Sequence, residues 1–512
     1  MKVISFSKAS FAEALVNSYS NADVIRNKRH FTYFMKYLGP DGLSARTMVI
    51  EDEYVSKDYL HDYASYYAFC FQHYDKFCRR VHFFDEDFSA TDLQTALLNP
   101  TEEELWKHYL GFIVVKPIPV TVVGYTVLKV YPDKDHSGLR HFWSLRDYKI
   151  HFFGKELILN SLAFQEQDSV LAACATTAIW CMLNKASIDF HTKLKVPSEI
   201  TRDAAALSND GSRLFPNKGL DVLQICQAIN NSGLAPEVWG ANIRHKDASG
   251  KWDHFVTTAY LKRILYAYEM IGIPIILGIK VPTPKGYGYH AVTVSGHKMM
   301  AESELPATLS GFKAEKIEKI YVHDDQFGPF AWVKFMNDGV GIESPWTTDH
   351  KKKWPTYVVN VIVSLYPKIR ISYDHIEMIV IGLDGILRRA FKLPDTAAVF
   401  WDIKLNYSED FKRHVTASSI DNEEKIMLIE KSMPKYIWVA TCYFGEQKAI
   451  EFTFDATDVN NGMLGLDVIC FFDPDVKQHL FLYIKEQPAD LATLFQSTGG
   501  NAYIQHLLDQ LG

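Results

Sequence analysis

One segment near the middle of the chain constrains the fold most strongly. Residues Gln165 to Leu183 read Gln-Glu-Gln-Asp-Ser-Val-Leu-Ala-Ala-Cys-Ala-Thr-Thr-Ala-Ile-Trp-Cys-Met-Leu. The pattern predicts that an apolar helix begins at Cys174 and continues to about Asn184. Cys181 lies two turns further along the same face, so we expect it to point into the core. Cys174 instead lies where the partial positive charge of the helix N-terminus is strongest.

Composition excludes several classes of protein. A chain of 512 residues exceeds one compact core, so several domains are expected. The net charge of -7 argues against binding to nucleic acid or to anionic membranes. No apolar run approaches the ~20 residues of a spanning helix, and the N-terminus lacks a secretion-signal pattern. Seven cysteines without a Cys-x-x-Cys pair favour a reducing, cytoplasmic location.

Periodicity divides the chain into three ranges. Residues 1–155 are predicted to form an N-terminal α+β region of unknown role. Residues 156–365 contain the cysteine helix and a group of strands, and residues 366–512 restart with an amphipathic helix and further strands. The predicted fold class is therefore α+β and multidomain.

Two strands after the helix carry groups that can activate a thiol. His290 begins the strand-like run His-Ala-Val-Thr-Val-Ser, and Asp324 and Asp325 follow the run Ile-Tyr-Val-His. A thiol with a pKa near ~8.5 is mostly protonated at neutral pH and is then a poor nucleophile. A histidine can take its proton, and a carboxylate can orient that histidine. Cys174, His290 and an aspartate are therefore the candidate catalytic residues. No cofactor is expected, and no metal-binding spacing is present.

These motifs resemble the papain-like cysteine peptidases. Tyr289 to Gly296 is similar to the histidine strand of papain. The Gln-to-Cys-Ala element and the helix start at Gly219-Leu220 resemble the bacteriocin-processing peptidases that cut after double-glycine leaders. The resemblance covers about residues 160–345 and implies a papain-like fold in a bacterial protein. In that fold the cysteine helix packs on an antiparallel sheet that carries the histidine and the aspartate. It makes Cys174 the nucleophile, His290 the base, an aspartate of the 324–325 pair the orienting residue, and a preceding glutamine the oxyanion donor.

Two assignments have alternatives. Strand alternation places residues 320, 322 and 324 on one face, and the related peptidases place their aspartate at such a strand end, which favours Asp324 over Asp325. Gln167 lies seven residues before Cys174 and Gln165 nine, whereas the relatives use six, and we favour Gln167. The spacing of 34 residues between His290 and Asp324 is wider than in small relatives, which we attribute to a polar insertion around residues 301–318.

The expected activity is hydrolysis of a peptide or isopeptide bond through an acyl-enzyme. The expected partner is a peptide or protein substrate, and the N- and C-terminal regions are where a regulatory protein partner would bind. An acyl transferase that uses the same Cys–His pair is one alternative. A catalytically silent papain-like scaffold is the other.

Overall fold

A computed structural model describes most of the chain. The described residues are 1–99, 101, 103–134, 137–168, 170–171, 173–205, 219–301, 311–394, 397–458, 466–472 and 474–487. The predicted insertion at 301–318 therefore lies partly outside the described residues, since 302–310 are not among them.

Helices and strands are interleaved along the whole chain. The helices are α1 (Lys8–Ala14), α2 (Ala22–Arg26), α3 (Arg29–Tyr37), α4 (Lys57–Ser65), α5 (Ala90–Leu98), α6 (Glu104–Lys107), α7 (Cys174–Asp189), α8 (Pro197–Ala205), α9 (Val222–Asn231), α10 (Thr258–Ala267), α11 (Pro345–Asp349), α12 (Tyr373–Ala390), α13 (Ser408–Ala417), α14 (Asn422–Glu430) and α15 (Pro474–Glu486).

The strands range from two residues in β6 to 14 residues in β13. They are β1 (Lys2–Ser5), β2 (Thr47–Tyr54), β3 (Cys78–Phe84), β4 (Tyr109–Val115), β5 (Val123–Leu128), β6 (Arg140–His141), β7 (Arg146–Phe152), β8 (Lys155–Ser161), β9 (Ala235–Gly240), β10 (Ile243–Lys246), β11 (Trp252–Phe255), β12 (Ile275–Thr283), β13 (Gly286–Met299), β14 (Gly311–Phe312), β15 (Ile317–Asp324), β16 (Gly328–Phe335), β17 (Gly341–Glu343), β18 (Thr356–Leu365), β19 (Val399–Tyr407), β20 (Tyr436–Phe444), β21 (Gln447–Asp455) and β22 (Leu466–Phe471).

The chain folds into two compact units, each built from several segments. Unit 1 comprises Met1–Thr258, Ile273–Lys298 and Glu318–Ser364. Unit 2 comprises Ala259–Gly272, Met299–Ile317 and Leu365–Gly512. Residues 1–155, for which the sequence predicts a separate region, belong to unit 1. The predicted start of the C-terminal domain at 366 falls beside the last boundary between the units.

Helix α7 lies in the interior of unit 1. Nearly all of its residues are buried, as expected for a helix that is apolar on every side. The Thr293 hydroxyl of β13 donates a 3.0 Å hydrogen bond to the carbonyl of Ala178. On another side, the hydroxyl oxygens of Thr176 and Thr201 lie 3.2 Å apart, joining α7 to α8. The helix is thus held between the sheet and α8.

The main sheet of unit 1 closes on itself. Its strand order is β12-β13-β15-β16-β17-β18-β9, and β12 also pairs with β18. Strand β12 pairs antiparallel with both β13 and β18, and Ile279 of β12 lies opposite His290 of β13. The pairs β15–β16, β16–β17 and β17–β18 are antiparallel as well. Apolar side chains such as Leu277, Val292 and Val322 fill the interior and leave a void of only about 10 Å³. The antiparallel sheet that carries the histidine and the aspartate is therefore a rigid support.

The N-terminal segment of unit 1 shares a core with this sheet. Strands β1 to β5 form a five-stranded antiparallel sheet in sequential order. Helix α3 buries His30, Phe31, Phe34 and Tyr37 on one face, with helical spacing. The same hydrophobic cluster contains Phe330 of β16. This shared core explains why residues 1–155 do not form a unit of their own.

Unit 2 is also α+β. Its sheet has the order β14-β19-β20-β21-β22. Along β19 the buried residues alternate with half-buried ones, while β20 is buried almost throughout. Helix α12 buries an apolar face containing Ile376, Leu383 and Leu387. The α+β class and the multidomain character predicted from the sequence are thus confirmed. Among the described residues, no helix combines the length and apolar character that crossing a bilayer requires.

The predicted helix after Gly219 forms, but its buried face differs in detail. Asp221 caps α9 through a capping box with Gln224. The apolar residues Leu220, Leu223, Ile225, Cys226 and Ile229 predict one buried face. Ile225, Ala228 and Ile229 are buried, whereas Leu223 is 65% exposed. With 3.6 residues per turn, Leu223 lies about 200° around the helix from Ile225 and therefore faces outwards.

Candidate active site

The candidate nucleophile begins the central helix. Cys174 is the first residue of α7 and is half-buried. The preceding Ala173 provides no side-chain cap for the helix. The first N–H groups of a helix are left unpaired by the helix itself and carry partial positive charge. The sulfur therefore lies at a place that favours negative charge.

His290 connects the thiol to the acids. Its imidazole is buried, and its Nε2 lies 3.0 Å from Oδ1 of Asp324. Hydrogen bonding with the Cys174 side chain is among the causes that raise the pKa of this imidazole, which places the thiol beside it. Because Nε2 faces the acids, Nδ1 is the nitrogen left for the sulfur. A continuous chain of side chains therefore runs from Cys174 through His290 to Asp324.

Asp324 is held by donors on both of its oxygens. The main-chain N–H of Gln326 donates to Oδ1 at 3.0 Å, in addition to His290. The indole Nε1–H of Trp346 donates to Oδ2 at 2.8 Å. Burial would raise the pKa of Asp324, but the charge of His290 and these hydrogen bonds bring it below its usual value. Asp324 is therefore an anion at neutral pH, with a fixed orientation.

Asp325 lies close to the same nitrogen. Its Oδ1 is 3.2 Å from Nε2 of His290, and its side chain is buried. Neither carboxyl oxygen accepts a hydrogen bond of good geometry from another described residue. Burial raises the pKa of Asp325 to about 7, against the lowering effect of His290. The pKa values of the two neighbouring aspartates are thus shifted in opposite directions although both side chains face one imidazole.

The charge balance favours a protonated His290. Burial alone would lower its pKa, but the charges of Asp324 and Asp325 and the hydrogen bonds to Asp324 and Cys174 raise that pKa well above its ordinary value. An imidazolium beside a thiol stabilises the thiolate. The arrangement therefore suits a thiolate–imidazolium pair with an aspartate behind it.

The N-terminal segment supports the acids from behind. His30 of α3 places its Nε2 2.7 Å from the main-chain carbonyl oxygen of Asp325. Its Nδ1 lies 3.6 Å from Oε1 of the buried Glu166. Lys28 donates to the same Glu166 oxygen at 2.6 Å, and the main-chain N–H groups of Val122 and Val123 donate to the other. This network fixes the turn that carries Asp325.

The two candidate oxyanion donors differ in their surroundings. Gln167 is half-buried, and its main-chain carbonyl accepts a hydrogen bond from the Thr121 hydroxyl at 3.0 Å. Gln165 is buried, and its Nε2 has no hydrogen-bond partner among the described residues. Its main-chain N–H donates to Cys181. The contacts of the described residues therefore do not bring either side-chain amide to the sulfur, and Gln167 stays a prediction.

The other cysteines differ from Cys174 in their environment. Burial raises the pKa of Cys78 to about 12, and it raises the pKa values of Cys181, Cys442 and Cys470 further. Each of these four thiols is buried. They are expected to stay protonated and unreactive. Cys70, which is half-buried, is the natural comparison for Cys174.

The acid–histidine cluster also has a spacing that a metal ion requires. One ligand atom from each of His290, Asp324 and Asp325 lies within 4.8 Å of the others. However, both oxygens of Asp324 accept hydrogen bonds, and the second nitrogen of His290 is left for Cys174. Hydrogen bonding around an imidazolium accounts for this spacing, so no metal is assigned here.

Comparison with known proteins adds no relative. No protein-family model matches the chain, and no curated protein matches it significantly.

Sequence reasoning missed three contributors. Trp346 and His30 lie far along the chain from the residues they contact, and no local pattern indicates either of them. Asp325 was treated as the alternative to Asp324, whereas both side chains reach His290. The available signal for Asp325 was its position just after the end of β15. Strand alternation no longer applies there, so its side chain can face the same side as that of Asp324.

Proposed function

We propose that the protein is a papain-like cysteine hydrolase that cleaves a peptide or isopeptide bond. The observation that carries the proposal is the chain of contacts from the Cys174 thiol through His290 to the buried Asp324. Cysteine-dependent hydrolysis needs a nucleophile, a base that accepts and returns the proton, and a third group that orients the base. Peptide and isopeptide bonds are the substrate class that the papain-like resemblance implies.

In the first half of the reaction, the Cys174 thiolate attacks the carbonyl carbon and the C=O electron pair moves onto oxygen. The N–H of Cys174 and a glutamine side chain are the proposed donors to this oxyanion. The imidazolium of His290 then gives its Nδ1 proton to the leaving amine as the C–N bond breaks. The product of this half is a thioester on Cys174, together with a free amine.

In the second half, neutral His290 removes a proton from water as the water attacks the thioester. Collapse of the second tetrahedral intermediate breaks the C–S bond and releases the carboxylic acid. The Cys174 thiolate and the His290 imidazolium are thereby regenerated. Asp324 acts throughout by holding the imidazole in one orientation and by stabilising its positive charge.

The protein interior gives a physical reason for preferring a catalytic over a purely structural role. A buried imidazole next to two carboxyls is costly to maintain unless its charge has a use. Cys174 is half-buried, so its side chain is partly accessible. His290 and Asp324, in contrast, are buried. A silent scaffold would not need this combination of an accessible thiol and a charged, enclosed base.

The first experiment measures how fast iodoacetamide labels each cysteine between pH 5 and 9, with mass spectrometry reading the position. We expect Cys174 to label much faster than Cys70 at pH 6, because a thiolate–imidazolium pair persists below the pKa of a free thiol. The variant His290→Ala should slow the labelling of Cys174. The matched control is His151→Ala, which removes an exposed histidine of β7 and should change nothing.

The outcomes separate the three functions. Labelling of Cys174 no faster than that of Cys70 would rule out an activated thiolate and leave the scaffold. Where Cys174 is activated, incubation with peptide libraries follows, with and without added amines. Release of carboxylic acids supports the hydrolase, whereas amides formed with the added amine identify a transferase.

A further inference from the structure

Asp325 is a buried carboxyl that the Cys–His–Asp arrangement does not need. Asp324 already occupies Nε2 of His290 at 3.0 Å, yet Oδ1 of Asp325 approaches the same atom at 3.2 Å. One N–H group can donate well to one acceptor only. Neither oxygen of Asp325 accepts a hydrogen bond of good geometry from another described residue. A carboxyl with this degree of burial and no donors requires a physical explanation.

The position of Asp325 is enforced by the fold. Strand β15 ends at Asp324, after an irregularity in its pairing between Val322 and Asp324. The next residue is therefore free of strand alternation, and its side chain turns to the same imidazole as that of Asp324. The His30 ring at its main-chain carbonyl, 2.7 Å away, holds this turn from the other side. Asp325 thus cannot move away from His290 without breaking contacts to α3.

The charges around Asp325 come from several elements. His290 of β13 faces it with positive charge, and Asp324 with negative charge. Glu166, paired with Lys28, contributes a further negative charge. Cys181 of α7 lies on the remaining side and stays neutral, because burial raises its pKa far above neutrality. Burial, Asp324 and Glu166 together raise the pKa of Asp325 to about 7 despite His290.

We propose that Asp325 is a second, switchable carboxyl that sets how firmly His290 holds its proton. When Asp325 is neutral, Asp324 is the single anion at the imidazole, and the imidazolium can release its Nδ1 proton to a leaving group. When Asp325 is ionised, two anions face Nε2 and the proton stays on His290. Asp325 is therefore a positioning residue that acts through His290, and the idea rests on the proposed function for its meaning in catalysis.

The consequence is a reaction step that weakens as Asp325 ionises. The attack step benefits from an imidazolium, but protonation of the leaving amine requires that this imidazolium be acidic enough. Ionised Asp325 lowers that acidity by electrostatic attraction. The neutral form of Asp325 is therefore the productive one, and turnover should decline as the pH rises through its ionisation.

The test follows the His290 ring directly by NMR of ¹³C-labelled histidine between pH 5 and 10. The His290 signal is assigned by its loss in His290→Gln. In the wild-type protein we expect two steps, one near neutrality from Asp325 and one at higher pH from the imidazolium itself. In Asp325→Asn the first step should disappear, and the second should move down by at least about one pH unit. In Asp324→Asn the first step should remain.

Several results would overturn the idea. These are a wild-type signal with no step below the imidazolium titration, a first step that survives in Asp325→Asn, or a second step that does not move. Asp325→Ala serves as a second variant if the asparagine protein does not fold, and the wild-type profile is decisive by itself if neither folds. Cysteine labelling separates this proposal from the proposed function: an unreactive Cys174 refutes the hydrolase, while the His290 profile still reports whether Asp325 controls the proton.

Discussion

The indole Nε1–H of Trp346 donates a 2.8 Å hydrogen bond to Oδ2 of Asp324. The same indole packs edge-on against His290, with 5.2 Å between the ring centroids. One side chain from α11 therefore contacts both the orienting acid and the base. The guanidinium of Arg29 lies over the Trp346 ring at 4.9 Å, so the indole itself is held in place from α3.

Trp346→Phe keeps an aromatic ring but removes the donor to Asp324. We expect the free energy of unfolding to fall by about 1–3 kcal/mol, because a buried carboxylate loses one of its hydrogen bonds. Urea unfolding at pH 7 measures this change. Trp332→Phe is the matched control, since Trp332 is 40% exposed and its replacement should change stability by less than about 0.5 kcal/mol. Equal effects of the two variants would contradict the importance of the Trp346 bond.

Asp324→Asn removes the anion closest to His290. The pKa of His290 should then fall, by about 1–3 units for the loss of one opposite charge at hydrogen-bond distance. The share of the thiolate–imidazolium pair depends on the difference between the two pKa values, so each unit lost by His290 favours the neutral thiol tenfold. Labelling of Cys174 by iodoacetamide at pH 6 should therefore slow by about tenfold or more. Asp23→Asn, at an exposed carboxylate of α2, should label at the wild-type rate. An unchanged rate in Asp324→Asn would remove Asp324 from the proposed triad.

Gln167→Ala tests the oxyanion donor with a peptide aldehyde, which adds to the thiolate and forms a tetrahedral oxyanion. We expect the aldehyde to bind about 100-fold more weakly, as for the loss of one oxyanion donor, while alkylation by iodoacetamide stays unchanged. The comparison is Gln165→Leu, which fills the buried space of Gln165 with an apolar side chain. If Gln165→Leu rather than Gln167→Ala weakens the aldehyde, the donor is Gln165, whose buried amide has no partner among the described residues.

His323 should make the protein sensitive to acid. Burial lowers its pKa to about 4, while the unfolded chain titrates near ~6.5. Between these values the unfolded state binds more protons, so stability is complete above pH ~6.5 and is lost as the pH falls towards ~4. The change for this residue amounts to about 3 kcal/mol. Urea unfolding at pH 4.5 and 7 should show a smaller difference in His323→Gln than in the wild type; an equal difference would refute the assignment.

His30→Ala removes the contact that holds the main chain of Asp325. We expect a loss of about 1–2 kcal/mol in the free energy of unfolding and slower labelling of Cys174, because the turn that carries the acids is released. His73→Ala replaces an exposed histidine and should leave both measurements unchanged. Wild-type labelling in a folded His30→Ala protein would show that the N-terminal segment does not support the site.

Local sequence patterns were sufficient to predict features that depend on a single helix or strand. Apolar periodicity predicted α7 with Cys174 at its start, and the strand patterns predicted β13 and β15. Strand β13 extends from Gly286 to Met299, well beyond the predicted run that begins at His290. Local patterns could not show that the N-terminal segment shares a core with the main sheet. Phe330 of β16 packs in the same core as α3, although about 300 residues of chain separate them. Similarly, the contact between His30 and Asp325 spans 295 residues. Such contacts depend on tertiary packing, which one sequence does not display.

The closed sheet has a consequence for biosynthesis, because its strands are synthesised one after another along the chain. Strand β12 pairs with β18, which ends at Leu365, and the segments that carry His290 and Asp324 are separated by residues 299–317 of unit 2. A nascent chain that ends between His290 and Leu365 therefore contains the cysteine and the histidine but cannot close the sheet that supports them. The growing polypeptide is kept without a finished site until β18 has been made.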